Sequence, residues 1–239
     1  MLKTILFDLD GTLIPFVQDD FIRAYFKHLV ERIAPMGYDG EKIIAALWKG
    51  TGAMLKNDGT FTNRQVFWNR FAQELGMGVL SLEGILDDFY SQEFNAVSAT
   101  LKEHVDRGPM IRALREKGYS LVLATNPIFP AVAVETRLKW IGLKPENFDY
   151  VTTYENSRHS KPNPNYYRDI LDQLGQKPED CLMIGNNPSD DMSALQLGID
   201  GILVTDYLEN ELNLPIDRYD CRSFKELDAY LSALPHTAE

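Results

Sequence analysis

Cysteine is scarce in this chain of 239 residues: Cys181 and Cys221 are its only two. Two cannot build a disulfide framework, and Cys181 lies in the apolar run Cys181-Leu182-Met183-Ile184, where it reads as a small core residue. Long hydrophobic runs are missing as well. No stretch reaches the roughly 18 apolar residues that a membrane span needs, and Asp8 and Asp10 interrupt what would be the apolar region of a signal peptide. The expected location is cytoplasmic, without a membrane partner. Positive charge is in short supply: 24 Lys and Arg face 35 Asp and Glu, a formal net charge of −11. That balance argues against a nucleic-acid or anionic-membrane surface. A small anionic substrate needs only a local positive pocket and stays allowed. Repeats, low-complexity tracts and flexible linkers are also lacking. The length fits one large domain, or a core plus a smaller insert.

What the chain does have is an unusual opening, Ile5-Leu6-Phe7-Asp8-Leu9-Asp10-Gly11-Thr12. An apolar strand from Thr4 to Phe7 ends in two carboxylates spaced i, i+2, followed at once by a glycine and a hydroxyl. Like charges this close raise each other's pKa unless a cation lies between them or one keeps its proton. The arrangement suits a divalent metal beside an acid/base pair, at the place where an α/β sheet exposes its strand ends. An Asp-Gly turn after an ordinary strand is the plainer reading; the residues downstream reduce its weight.

Two textures follow. From about Val17 to Val97 the apolar spacing is helical throughout, in segments separated by Pro35 to Gly40, Asn57-Asp58-Gly59 and Gly76 to Gly78. Thr62 and Ser81 look like helix N-caps. After residue 98 the pattern becomes strand–helix–strand. Strands are expected at Ser120 to Ala124, Phe148 to Thr152, Cys181 to Ile184 and Gly201 to Val204. Helices are expected near 107–117, 130–141, 163–174, 189–197 and 223–233. Short, nearly continuous apolar strands alternating with helices predict α/β architecture: a doubly wound parallel sheet buried on both faces. The N-terminal strand must join that sheet. Residues 1–14 plus 98–239 then form the core, and 15–97 a helical cap inserted at the sheet's carboxyl edge.

In such a sheet, ligands bind beyond the carboxyl ends of the strands. The residues found there are Asp8 and Asp10, then Thr125 and Asn126, then Lys161 in Lys161-Pro162-Asn163-Pro164, then Gly185-Asn186-Asn187-Pro188-Ser189-Asp190-Asp191. Carboxylates bind Mg²⁺ through oxygen, whereas hydroxyl, backbone N–H and ammonium groups bind phosphate oxygens. Together they suit phosphoryl transfer: one carboxylate attacks, metal and amine neutralise charge, and a second carboxylate handles the proton.

These four motifs, in this order, resemble those of the haloacid dehalogenase superfamily, and most closely its phosphatases with a helical cap (the C1 type) after the first motif. The resemblance implies roles. Asp8 would be the nucleophile that forms an aspartyl-phosphate, and Asp10 the general acid and then base. Thr125, the backbone N–H of Asn126, and Lys161 would bind the phosphoryl group. Asp8, the Asp10 carbonyl, Asn186 and Asp191 would hold Mg²⁺. An acid two residues after the nucleophile separates phosphatases and phosphomutases from dehalogenases, which favours a small phosphorylated metabolite as substrate over a haloacid. One motif departs from the pattern. Asn186 stands where the family usually has a metal-binding Asp, and Asn187 fits a helix N-cap ahead of Pro188. That departure keeps a phospho-ligand-binding protein without turnover open beside the phosphatase, and a phosphomutase, which shares the same chemistry, is the nearest enzymatic rival. His28, His104, His159 and His236 show no metal-ligand spacing, with only His159 near Lys161. Cap aromatics such as Phe67, Trp68, Phe71 and Tyr90 read as core. Trp48 to Gly52, Lys56 to Gly59, Phe16 and Gln18 are weaker candidates for a substrate-facing surface. The sequence leaves monomer and homodimer equally open.

Overall fold

A computed structural model describes residues 1–237. Six parallel strands form one sheet: β1 (Thr4–Phe7), β2 (Ser120–Leu123), β3 (Tyr150–Val151), β4 (Cys181–Gly185), β5 (Asp200–Val204) and β6 (Asp220–Arg222). Their spatial order is β3-β2-β1-β4-β5-β6. The chain thus starts in the middle of the sheet and winds outward in both directions, and the reversal falls at β1. Period-two alternation feeds two cores from one strand. Ile5 and Phe7 enter one apolar cluster. Leu6 enters another, with Val122, Ala124, Met183 and Tyr167.

The helices are α1 (Gln18–Ile33), α2 (Gly40–Leu55), α3 (Asn63–Leu75), α4 (Leu82–Ser91), α5 (Gly108–Glu116), α6 (Ala131–Lys139), α7 (Pro164–Leu174) and α8 (Phe224–Ala233), with short 3₁₀ turns between several of them. Helices α1 to α4 lie between β1 and β2 in the chain and contribute no strand. They are not a separate nucleus: Phe21, Tyr25, Leu86 and Tyr90 share one cluster with Phe7, Leu123 and Leu138. The start of α3 docks directly on the loops after β3. Asn63 N–H donates to the Ser157 carbonyl at 2.8 Å and Arg64 N–H to that of Tyr154 at 2.7 Å. The buried Asn63 amide also donates to the Pro127 carbonyl and to Ser160 Oγ, both at 3.0 Å. No helix of the described residues is long and apolar enough to cross a membrane.

Local signals explain most boundaries. Thr62 and Gln65 form a capping box at α3, and Asn163 with Pro164 starts α7. Ser81 does not cap α4; its hydroxyl donates backward to the Gly78 carbonyl at 2.8 Å. The third strand is shorter than expected because the Asn156 amide takes the Val151 carbonyl and the Thr153 N–H out of the ladder. The segment near 189–197 is a 3₁₀ helix, Asp191–Leu197, rather than an α-helix. Tyr167 Oη donates to the Asp190 and Asp191 carbonyls there, diverting acceptors that an α-helix would use. Strand β6 was not expected, since Asp220-Cys221-Arg222 is a polar edge strand without an apolar run.

Candidate active site

Register brings the chemical residues to one edge. Phe7 pairs with both Leu123 and Ile184, so Asp8 emerges level with Ala124 on one side and Gly185 on the other, one residue before Thr125 and Asn186. The turn that follows β1 needs Gly11 at φ +73°. A Cβ there would lie 2.2 Å from Asn186 Nδ2, so the first and last motifs interlock at a glycine. Gly185 has the same function against Asp191, whose Cγ would be 2.1 Å from a Cβ.

At the centre is a buried ammonium. Lys161, 1% exposed, donates to Asp8 Oδ1 at 2.7 Å and to Asp191 Oδ1 at 2.6 Å. Asp191 uses its second oxygen to accept the Asn187 N–H at 2.9 Å, so both its oxygens serve protein donors. Asn187 caps the turn, its side chain accepting from the N–H groups of Ser189 and Asp190. Thr12 Oγ1 lies 3.2 Å from both Asp8 Oδ2 and Asn186 Oδ1, and one hydroxyl hydrogen can serve only one of them at a time. Asn186 itself is buried, with its Nδ2 donating to the Tyr207 carbonyl at 2.7 Å. The Thr125 carbonyl is pinned by Thr152 Oγ1 at 2.7 Å and Tyr166 Oη at 2.9 Å, and Thr125 lines the cavity. Asn126 Nδ2 donates to Asp190 Oδ2 at 3.2 Å.

Two residues of this site were not among those expected from the sequence. Arg137 on α6 is fully buried and ion-paired through Nη1 with Asp10 Oδ2. Its Nε donates to the Ala133 carbonyl at 3.3 Å, and its guanidinium lies 4.5 Å from the centre of the Phe129 ring. The Asp10 carboxylate is therefore held at one oxygen and free at the other. Glu209, in the loop after β5, lines the same cavity of about 100 Å³ as Asp8, Asp10, Thr125, Asn126, Lys161, Asn186 and Asp191. His159 is turned elsewhere: its Nδ1 pairs with Asp169 at 2.7 Å.

The electrostatics follow from crowding carboxylates in a poorly hydrated space. Burial, reinforced by Asp191 and Asp10 and opposed by Lys161, raises Asp8 to about 7. Burial and then Asp8 push Glu209 up to about 8, while burial and Asp191 bring Asp190 to about 6. Burial works against the Lys161 charge, but Asp191 and Asp8 more than reverse this and hold its pKa well above that of an ordinary lysine. Asp8, Asp10, Asp190, Asp191 and Glu209 are five acids, against the two cations Lys161 and Arg137, an excess of three negative charges when all are ionised.

That excess tests whether a divalent cation fits. Asp10 Oδ1, Asn126 Oδ1 and Gln18 Oε1 are buried oxygens with no partner among the described residues, and all three residues line this cavity. The donors are all oxygen, as a hard cation such as Mg²⁺ requires. Among the described residues no three His, Cys, Asp or Glu side chains converge to hold an ion by themselves. A cation here would depend on amide and main-chain oxygens as well, consistent with Asn186 at its position. The donor set fits on those terms.

A pH effect follows. Acids whose folded pKa is raised keep protons that the unfolded chain has already lost. Metal-free stability should therefore fall as pH rises from about 4 to about 8. In chelator the thermal midpoint is expected to be higher near pH 5.5 than near pH 8.5, with magnesium recovering the difference at the higher pH. A midpoint that climbs with pH in chelator would contradict this arrangement.

A parallel sheet with an acid pair, a buried lysine and a polar cavity at its carboxyl edge defines a doubly wound α/β protein with a polar ligand site at its strand ends. Residues 2–198 match the model of the haloacid dehalogenase-like hydrolases, and the chain belongs to that family. It is 28% identical over 202 residues to pyrophosphatase PpaX of Bacillus pumilus strain SAFR-032, spanning 82% of this chain and 80% of that one. It is 28% identical over 189 residues to pyrophosphatase PpaX of Bacillus cereus strain AH820, spanning 79% and 76%. Among solved structures, an HAD phosphatase from Thermococcus onnurineus superposes with a TM-score of 0.60 at 21% identity, covering 99% of this chain and 100% of that one. L-2-haloacid dehalogenase from Xanthobacter autotrophicus gives 0.58 at 19%, covering 98% and 100%. A fold shared equally by phosphatases and dehalogenases leaves the reaction to be argued from the site.

Proposed function

We propose that the protein is a Mg²⁺-dependent phosphatase that hydrolyses a phosphate monoester of a small metabolite through an aspartyl-phosphate on Asp8. The observation that carries this reading is the buried Lys161 ammonium bridging Asp8 and Asp191. It supplies a fixed positive charge beside the nucleophile, where the equatorial phosphoryl oxygens would lie. Thr125 and the Asn126 backbone complete the phosphoryl seat.

In the first step an Asp8 oxygen forms a bond to phosphorus, the bond from phosphorus to the ester oxygen breaks, and Asp10 gives its proton to the departing alcohol. In the second, Asp10 takes a proton from water as the water oxygen bonds to phosphorus and the Asp8 carboxylate leaves. Arg137 holds one Asp10 oxygen while the other stays available for that proton. Asp191 orients Lys161 through Oδ1, and its other oxygen, like those of Asp8, keeps a lone pair for the magnesium beside its protein donor. Asp8, the Asp10 carbonyl, Asn186 and Asp191 would hold the magnesium, with Glu209 near enough to add negative charge. When bound, the ion supplies charge neutralisation between Asp8 and the phosphoryl group. Residues 15–97 serve as the cap that excludes bulk water.

Phosphate release from p-nitrophenyl phosphate, dependent on magnesium, with a phosphoryl adduct trapped on Asp8 by rapid quench and mass spectrometry, is the expected result. Activation by a sugar bisphosphate with little net phosphate release would favour a mutase. Binding without turnover across a wide ester panel would favour a non-catalytic protein.

A further inference from the structure

Beside the catalytic cavity lies a second, apolar one of about 120 Å³, enclosed between α1 to α4 and the loop after β2. This is the size range of the roughly 150 Å³ apolar cavities that take up benzene. Tyr25, Trp48, Phe67, Trp68, Tyr90 and Phe129 are among its walls. Three of their polar tips are already paired: Tyr25 Oη with Tyr90 Oη at 2.7 Å, and Trp68 Nε1 with Tyr154 Oη at 3.2 Å. A ligand entering would therefore meet mainly ring faces and aliphatic groups, with the Thr51 hydroxyl and Gln18 as polar members of the lining.

Three residues line both spaces: Gln18, Ile128 and Phe129. The apolar cavity thus abuts the catalytic one, which Asp10 lines, across these three side chains, on the side from which an alcohol would depart. Gln18 Oε1, at this junction, is buried without a partner among the described residues. No lysine, arginine or histidine lines the cavity, and its charged members are Glu83 and Asp87. Glu83 is paired with Arg64 at 2.6 Å, and Asp87 is exposed at the rim. A second phosphate placed here would lose its hydration, find no cation and face a carboxylate.

We propose that the leaving group this enzyme accepts is an apolar, ring-sized alcohol seated in the aromatic cavity, and that pyrophosphate is excluded. This rests on the phosphatase reading above and adds the substrate class to it. It also separates the chain from the pyrophosphatases it resembles: a leaving phosphate would demand a cationic lining that is missing here.

The test compares esters whose leaving alcohols are both primary alkoxides, so that the difference reads the cavity rather than the chemistry. With magnesium present, kcat/KM for 2-phenylethyl phosphate is expected to exceed that for ethyl phosphate by about 100-fold, the scale on which apolar pockets discriminate. Pyrophosphate should be turned over no faster than ethyl phosphate. Thr51→Trp, which fills the cavity from α2, should bring the aryl-to-ethyl ratio towards one. A separate arm needs no turnover: 2-phenylethylphosphonate should quench the tryptophan emission of the magnesium-loaded protein, since Trp48 and Trp68 line the cavity. Turnover with equal or better use of pyrophosphate or ethyl phosphate overturns the inference and leaves the phosphatase standing. Phosphonate binding with quenching but no turnover of any ester supports the cavity assignment and defeats the phosphatase. Absence of both binding and turnover overturns both.

Discussion

Asp8→Asn is expected to abolish magnesium-dependent phosphate release, by roughly 10⁴- to 10⁶-fold, the scale on which losing a covalent nucleophile acts. The same substitution should raise the thermal midpoint of the metal-free protein above pH 7. The amide is nearly the same shape and its oxygen can still accept from Lys161, so the loss of activity is chemical: an amide does not attack phosphorus. The stability gain has a different origin. Asp8 is raised to about 7 by burial and by Asp191 and Asp10, so its ionised form is costly in the fold. A neutral isostere removes that cost, a gain of a few kcal/mol at most because Lys161 loses one of its counter-charges. Calorimetry in chelator at about pH 8 reads the second effect, and phosphate release reads the first. Wild-type turnover by the variant would mean another nucleophile; a lower midpoint would mean that the Asp8 charge supports Lys161 more than it strains the cavity.

How far this site could be read from sequence depends on where each residue sits. Asp8, Thr125 and Asn186 were legible because apolar strands mark their own ends and a parallel sheet gathers those ends at one edge. Lys161 needed the Pro162 and Pro164 punctuation to stand out from solvated lysines. Arg137 was not legible. On α6 a cation in the last turn reads as helix-end solvation, favourable to the dipole. Its one clue was position, three residues after Val134 and one before Leu138, both fully buried, which places it on the apolar face. Glu209 lay in the long loop after β5, where no periodicity assigns a direction to any side chain. The expectation that Phe67, Trp68 and Tyr90 are core was right as packing, and the three rings also line a cavity. Periodicity tells which face of a helix is apolar, but whether facing rings touch or leave a ring-sized gap depends on how α1 to α4 sit above the sheet. The same limit hid β3's early end, which Asn156 imposes from four residues beyond Thr152.

Arg137→Met is the second large effect to expect, and it separates proton transfer from scaffolding. The wild-type guanidinium has no exposure, one ion-pair partner in Asp10, and an Nη2 without any partner among the described residues. Such a group is expensive to bury, so its removal alone does not dictate instability; the danger is the carboxylate left behind. Breaking a buried pair from one side costs about 3–5 kcal/mol, and Asp10, one-fifth exposed, should fall at the lower end. Asp10→Asn combined with Arg137→Met should recover most of that loss, as both charges then go together. In the single variant the proton-handling contribution of Asp10, on the order of 10²- to 10⁴-fold, should also decline, because its free oxygen is no longer aimed by the anchored one. Leaving-group chemistry provides the discriminating measurement. p-Nitrophenolate departs readily without a proton, whereas an alkoxide does not, so Arg137→Met should slow 2-phenylethyl phosphate far more than p-nitrophenyl phosphate. A purely structural defect would slow the two esters by the same factor, and that result would remove Arg137 from the proton-transfer apparatus while leaving its contribution to folding intact.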